Sequence, residues 1–165
     1  METSLSKAIV IVGYKRPEEL RRLLKSISYA YTDKKFDLIL SIDFSEIQEE
    51  LIRIFNEFSW EYGEKIVIKR KKHLGLRKHI IECGNLTDSY DYIIVLEEDL
   101  IVSKEFLDYS SKAVDFYQNQ KQISCISLYS YRTKEIDKQP FFPIHFGHDN
   151  YFLQICPSWG QIWTK

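Results

Sequence analysis

Apolar residues recur along the chain in two rhythms, and the two rhythms alternate. Residues 8–12 (AIVIV), 37–42 (DLILSI) and 92–96 (YIIVL) are short, nearly unbroken apolar runs rich in β-branched side chains. Such runs read as strands buried on both faces. Residues 65–69 (KIVIK) alternate instead, as expected of a strand nearer an edge. Between these runs the spacing becomes helical. Leu20, Leu23, Leu24 and Ile27 share one face behind Pro17, which suits a first helical turn. Ile47, Leu51, Ile54, Phe55 and Phe58 form a second face, with Ser45 and Gln48 at capping-box spacing before it. A third helix is expected over about 76–86 and a fourth over 104–117, followed by a strand over 123–128 (ISCISL). Strand and helix thus alternate four times. The pattern predicts an α/β fold: a mostly parallel central sheet with right-handed crossovers and helices on both faces.

The alternation ends after Ser130. Residues 139–156, rich in aromatics, Pro and His, are expected to be irregular with one or two short strands. Trp159, Ile162 and Trp163 are spaced like the apolar face of a helix that has barely begun, with Ser158 as its cap. A helix this short does not hold itself together. The expectation is a frayed apolar end and a C-terminally incomplete domain, residues 1–165 being one domain whose partners for these tryptophans lie beyond Lys165.

The run at 92–96 leads directly into Glu97, Glu98 and Asp99, and apolar residues resume at Leu100. A buried strand has no reason to end in three carboxylates, because each disfavours ionisation of its neighbours. A hard divalent cation, Mn²⁺ or Mg²⁺, would offset them. The carboxyl end of a central strand is also where open α/β sheets bind ligands. The competing account is an acidic helix N-terminus capped by Ser103.

Other polar candidates fall at the same ends of the other strands. Gly13, Tyr14, Lys15 and Arg16 follow the first, Asp43 closes the second, and Lys69–Arg70–Lys71–Lys72–His73 follows the third. The first loop has neither the G-x-G-x-x-G fingerprint nor a P-loop, so a nucleotide here must be gripped by side chains and a metal. Asp43 is suited to a base imide or a ribose hydroxyl, and equally to capping the next helix. His73, Arg77 and Lys78 flank Gly75 at a turn into a helix, where a diphosphate could bind. Lys71 and Lys72 read as solvated charge. His145, His148 and Asp149 are candidates for a metal or an acceptor.

Bulk properties narrow the classes. The 165 residues suit one domain, 44% of them are hydrophobic, and the net charge of -1 gives no general attraction to nucleic acid. No apolar stretch is long enough for a transmembrane segment, and the one near residue 7 is too short for a signal peptide, so a cytoplasmic protein is expected. Cys83, Cys125 and Cys156 are odd in number and widely spaced, which favours free thiols in a reducing compartment over zinc or a disulfide framework.

Four features in order resemble the nucleotide-sugar-binding half of a GT-A-fold glycosyltransferase: Gly13-Tyr14-Lys15-Arg16-Pro17 after the opening strand, Asp43 after the second, His73-Leu74-Gly75-Leu76-Arg77, and Leu96-Glu97-Glu98-Asp99. With Pro157-Ser158-Trp159-Gly160, they are similar to the inverting N-acetylglucosaminyltransferases of complex N-glycan synthesis and related bacterial enzymes. The resemblance implies a metal-dependent transferase that moves a sugar from a nucleotide-diphospho-sugar, most simply a UDP-sugar, to a carbohydrate or glycoconjugate acceptor. It further implies Asp99 on Mn²⁺, Glu97 and Glu98 near sugar, ribose or metal-bound water, Asp43 on uracil, and Arg16 near the nucleotide. Glu98 stands where Asp is usual. The catalytic base would lie beyond Lys165. Two other readings are a nucleotidyltransferase, which usually has a more Gly-rich first loop, and a fragment that binds nucleotide-sugar without turnover.

Overall fold

The apolar runs become strands because helices cover them on both faces. The structure, a computed structural model, describes residues 5–134, 136–143, 147–148 and 150–165. Strand β1 (Lys7–Gly13) is buried along its whole length, and β2 (Asp37–Ile42) is buried in all but its first residue. Strand β3 (Lys65–Lys69) is half-buried and lies at the sheet edge, as its alternation predicts. Strand β4 (Tyr92–Glu97) carries the acids at its carboxyl end. These four run parallel in the order β3-β2-β1-β4. Two short strands extend the sheet past β4. Strand β5 (Ile126–Ser127) is outermost, and β6 (Gln161–Thr164) runs antiparallel to both β4 and β5. The expected α/β fold with a mostly parallel sheet is therefore found.

The helices are α1 (Pro17–Ile27), α2 (Gln48–Glu57), α3 (Leu76–Gly84) and α4 (Phe106–Tyr117). Leu20, Leu23, Leu51, Phe55 and Leu107 bring α1, α2 and α4 onto one face, against Ile9, Ile11, Leu40 and Ile94. Helix α3 and the 3₁₀ turn Asn85–Asp88 cover the opposite face, where Cys83 meets Val10, Ile39, Ile93 and Val95. Each such aliphatic side chain contributes about 1.5–3 kcal/mol when fully buried.

Three local expectations fail, each because tertiary contacts override a local pattern. Ser45 and Gln48 form no capping box. The Ser45 hydroxyl donates to the Tyr14 carbonyl at 3.0 Å. The Gln48 amide nitrogen lies 3.3, 3.2 and 3.1 Å from the carbonyls of Ile42, Asp43 and Arg70. The Ile42 carbonyl also accepts from Arg70 N–H, but those of Asp43 and Arg70 lie past the ends of β2 and β3, and a buried carbonyl needs a donor.

The C-terminal segment is a strand, not the start of a helix, and it is not frayed. Its backbone pairs with β4 from Tyr92↔Thr164 to Val95↔Gln161. Ile162 is fully buried in one core layer and Trp163 packs in the other. The tryptophan finds its partner within the chain: a Cβ on Gly84 would lie 2.2 Å from the Trp163 ring. The open edge of β4 offered a full row of main-chain partners, which a single helical turn could not match.

Cys125 and Cys156 form a disulfide. Cys125 directly precedes β5 and Cys156 lies in the segment leading into β6, 31 residues apart, and their spacing alone does not announce the bond. The pairing removes the thiol-based argument for a reducing compartment. Cys83 is free and buried as expected, and burial pushes its thiol above the usual range. No helix among the described residues is long and apolar enough to cross a membrane.

Replacing Gly84 by Ala drives a methyl group into the Trp163 ring, and backbone shifts of this kind cost about 1–3 kcal/mol. Gly84→Ala is expected to lower the thermal midpoint by several degrees. A Gly84→Ala,Trp163→Leu double variant should recover part of that loss in the same melting experiment.

Candidate functional site

Main-chain hydrogen bonds continue past the ends of the parallel strands and bring their loops into register. Arg70 N–H donates to the Ile42 carbonyl at 3.0 Å, Asp43 N–H to Gly13 at 2.9 Å, and Glu98 N–H to Val12 at 3.1 Å. The loops after β1, β2, β3 and β4 therefore share one edge of the sheet. Gly13, Tyr14, Arg16, Asp43, His73, Glu97, Glu98 and Asp99 all lie on it.

Asp43 is buried at 2% exposure, and its carboxylate is fully engaged. One oxygen accepts from the N–H groups of Phe44 and Leu74 at 2.9 and 2.8 Å. The other accepts from Gly75 N–H at 3.0 Å and lies 2.9 Å from His73 Nδ1. Burial opposes its ionisation, but the N–H groups of Leu74, Phe44 and Gly75, with His73, outweigh burial and hold its carboxyl below the ordinary value. Gly75 has φ 77°, so the turn needs glycine for its backbone conformation. The anion that this basic turn wraps is thus the chain's own Asp43. Asp43 does not cap α2; it staples the loop after β3 to the end of β2. His73, held this way, stacks on Tyr14 with ring centroids 5.0 Å apart.

The three acids diverge. Glu98 turns inward, is 7% exposed, and reaches back to the first loop. It accepts from Tyr14 N–H at 2.6 Å and Lys15 N–H at 3.4 Å. Burial raises its carboxyl above the ordinary value, against the pull of those two N–H groups. Glu97 is half-buried and also raised by burial, partly offset by a hydrogen bond with Ser158. Asp99 points outward, where Arg16 pairs with its carboxylate and Arg22 Nη2 lies 3.4 Å from its carbonyl. Arg77, in the first turn of α3, is exposed and reaches none of these acids.

Among the described residues no group of three or more His, Cys, Asp or Glu could hold a metal. The donors do fit a hard divalent ion held jointly: such ions keep several waters and take one or two carboxylates plus substrate phosphates. Asp99 is the carboxylate suited to that role, since Glu98 is committed to main-chain N–H groups and Glu97 to Ser158. His145 and Asp149 lie outside the described residues, and His148 is exposed.

Sequence reasoning missed a buried polar cluster beneath the edge. His79, on α3 and 2% exposed, lies 2.8 Å from the hydroxyl of Ser41, which is fully buried in β2. Arg70 donates to the same hydroxyl at 3.4 Å and pairs with Glu82 at 3.8 Å, while its Nε is buried without a partner among the described residues. The available signal was Ser41, a lone polar residue inside an apolar run. A cavity of about 1260 Å³ opens on the other side of Asp99, between α4 and the segment after β5, with Tyr109, Tyr129, Tyr151 and Trp159 in its wall.

An α/β sheet whose carboxyl-end loops gather an aromatic face, arginines and an outward-facing carboxylate is a framework for holding a phosphorylated ligand. Residues 8–157 match the model of glycosyl transferase family 2, and the chain belongs to that family. Among solved structures, the mannosyltransferase PcManGT from Pyrobaculum calidifontis, in complex with GDP-Man and Mn²⁺, is similar at TM-score 0.61 and 9% identity, covering 79% of this chain and 37% of that one. S. aureus TarS 1-349 in complex with UDP is similar at TM-score 0.53 and 12% identity, covering 69% and 33%. A cytidylyltransferase from Leptospira borgpetersenii serovar Hardjo-bovis is similar at TM-score 0.57 and 12% identity, covering 97% and 60%. The fold is that of GT-A glycosyltransferases, and the chain spans 33 to 60% of the length of these three structures. No curated protein matches.

Two outcomes follow from the buried groups. Burial, the largest effect, holds His79 down to about 4 despite Asp43, so its neutral form is favoured in the fold. Its stabilisation is complete above about pH 6.5, the unfolded value, and is lost as pH falls toward 4. The shift corresponds to roughly 3 kcal/mol. Denaturant midpoints measured from pH 7 to 4 should fall along this limb, and His79→Gln should flatten it. Asp43→Asn leaves at least one buried N–H without an acceptor, which costs about 1–3 kcal/mol. Hydrogen exchange should then speed up at Leu74 and Gly75 before it does in β1.

Proposed function

We propose that this chain forms the donor-binding part of a metal-dependent glycosyltransferase. It holds a nucleotide-diphospho-sugar, a UDP-sugar, for attack by a hydroxyl of a carbohydrate or glycoconjugate acceptor. The observation that carries the reading is the position of Asp99. It is the outward-facing acid at the carboxyl edge of the sheet, set between the edge loops and the aromatic cavity, in a chain of glycosyl transferase family 2.

Each residue at the edge has a part in this reading. Tyr14, 36% exposed and backed by His73, offers a ring face to the uracil. Asp43 acts by holding His73 and the turn into α3 in place, and Arg77 leads that helix on the diphosphate side. Gly13 lies beside the Glu98 carboxylate at the end of β1, under the first loop. Glu98 fixes the first loop through its two N–H bonds, and Glu97 faces the sugar or ribose. Mn²⁺ or Mg²⁺, held by Asp99, would offset the charge that grows on the leaving diphosphate. The acceptor oxygen attacks the anomeric carbon, the bond to the diphosphate oxygen breaks, and the acceptor proton passes to a base. None of the described residues is assigned as that base. The cavity beyond Asp99 is open to an acceptor sugar, whose apolar ring faces suit aromatic side chains.

A nucleotidyltransferase is the second reading, favoured by the likeness to the cytidylyltransferase over 97% of this chain. The two differ in product. A transferase releases UDP from a UDP-sugar, whereas a nucleotidyltransferase releases pyrophosphate from a nucleoside triphosphate.

Titration calorimetry with UDP is expected to give affinity at least about tenfold higher in Mn²⁺ than in chelator, a difference of roughly 1.4 kcal/mol. Ca²⁺ should serve less well, because it prefers larger and less regular coordination. Asp99→Ala should erase the metal-dependent gain and leave the melting temperature near that of the parent. Equal UDP affinity with and without metal would remove the metal from the reading.

A further inference from the structure

We propose that Arg16 is a built-in counter-ion that changes partners when the donor binds: it leaves Asp99 to the metal and moves to the diphosphate. The inference rests on the reading of Asp99 as the metal carboxylate and adds a coupling between metal and nucleotide.

The backbone at Arg16 is fixed. Its carbonyl accepts the first helical hydrogen bond, from Leu20 N–H at 3.0 Å, and Pro17 restricts its conformation from the other side. The side chain is not fixed in this way. It is 57% exposed, and the Asp99 side chain it pairs with is 38% exposed. Exposed ion pairs of this kind shift an equilibrium by about fivefold at most, so a ligand can displace them.

Arg16 and a metal ion compete for the Asp99 carboxylate, because their like charges oppose each other at close range. Glu98 is committed to Tyr14 and Lys15, and Glu97 to Ser158, so a metal arriving at this edge must take the carboxylate that Arg16 occupies. A divalent ion alone therefore meets a guanidinium already in place, with the Arg22 guanidinium close by at the Asp99 carbonyl. Both like charges oppose it. A diphosphate changes this balance. It brings oxygens that match the planar fork of arginine, so Arg16 has a better partner within reach of the same loop. The same diphosphate adds ligands to the metal. Each ligand thus removes the obstacle to the other, and linkage requires the coupling to be reciprocal.

The test measures free Mn²⁺ by electron paramagnetic resonance during titration of the full chain with MnCl₂, without UDP and with saturating UDP. Parent, Arg16→Ala, Arg16→Gln and Arg22→Ala proteins are compared. Without UDP, both Arg16 variants should bind Mn²⁺ up to about fivefold more tightly than the parent. Arg22→Ala, which removes a nearby charge without breaking the pair, should change Mn²⁺ affinity less. With UDP present, the gain in Mn²⁺ affinity caused by the nucleotide should shrink in the Arg16 variants, and UDP affinity at saturating Mn²⁺ should fall. Unchanged or weaker Mn²⁺ binding by both Arg16 variants in the absence of UDP would overturn the exchange. So would an Arg22→Ala effect as large as that of Arg16→Ala, which would assign the effect to general charge. A parent protein that binds UDP equally well in chelator would also overturn it, with Arg16 then standing permanently in place of a metal. Failure of the parent to bind UDP under any condition would instead overturn the donor-binding reading itself.

Discussion

A carboxylate removed from water must be hydrogen-bonded, and this chain meets that requirement twice with main-chain N–H groups. Asp43 draws the loop after β3 around itself, and Glu98 draws in the loop after β1. Neither bond set is part of a helix or a strand ladder. Both join segments that are distant in sequence but neighbours at the sheet edge. The shape of the edge therefore depends on two carboxyl groups in the interior, and the outward groups, Tyr14, Arg16, His73 and Asp99, stand where those groups place their loops.

The parallel sheet was readable because each of its central strands is an apolar run and each intervening helix has a single apolar face. Length and period are local properties, and burial on both faces leaves them visible in the residues. The convergence of Gly13, Asp43, His73 and Glu97–Asp99 followed from topology, since a parallel sheet puts all its carboxyl ends on one side. What each acid does there was not readable. Three adjacent carboxylates look alike in sequence, yet one binds a loop, one meets Ser158 and one pairs with Arg16. Those differences arise from partners 61 to 84 positions away in the chain. Ser45 and Gln48 show the same limit at shorter range: a capping pattern was present, but main-chain carbonyls at the ends of β2 and β3 claimed the glutamine.

The end of the chain failed for a related reason. Residues 159–163 carry helical spacing, yet β4 had an open edge, and an open edge satisfies backbone groups in a way that one turn of helix does not. Once β6 lies there, Trp163 crosses over Gly84 and β5 pairs on the outer side. The cysteines at 125, before β5, and 156, in the segment leading into β6, are joined there by a disulfide.

That arrangement ties the segment after β5 at its base, by strand pairing and by a covalent bond, and residues 150–155 between these ties line the aromatic cavity. A loop anchored in this manner can lengthen or shorten at little thermodynamic penalty, because closure entropy grows only with the logarithm of length and each doubling adds about 0.6 kcal/mol. Insertions and deletions there leave the register of β4 and β6 untouched. Variation in the wall of the cavity is thereby uncoupled from the integrity of the sheet, so the same scaffold can acquire a different lining by drift in one tethered segment.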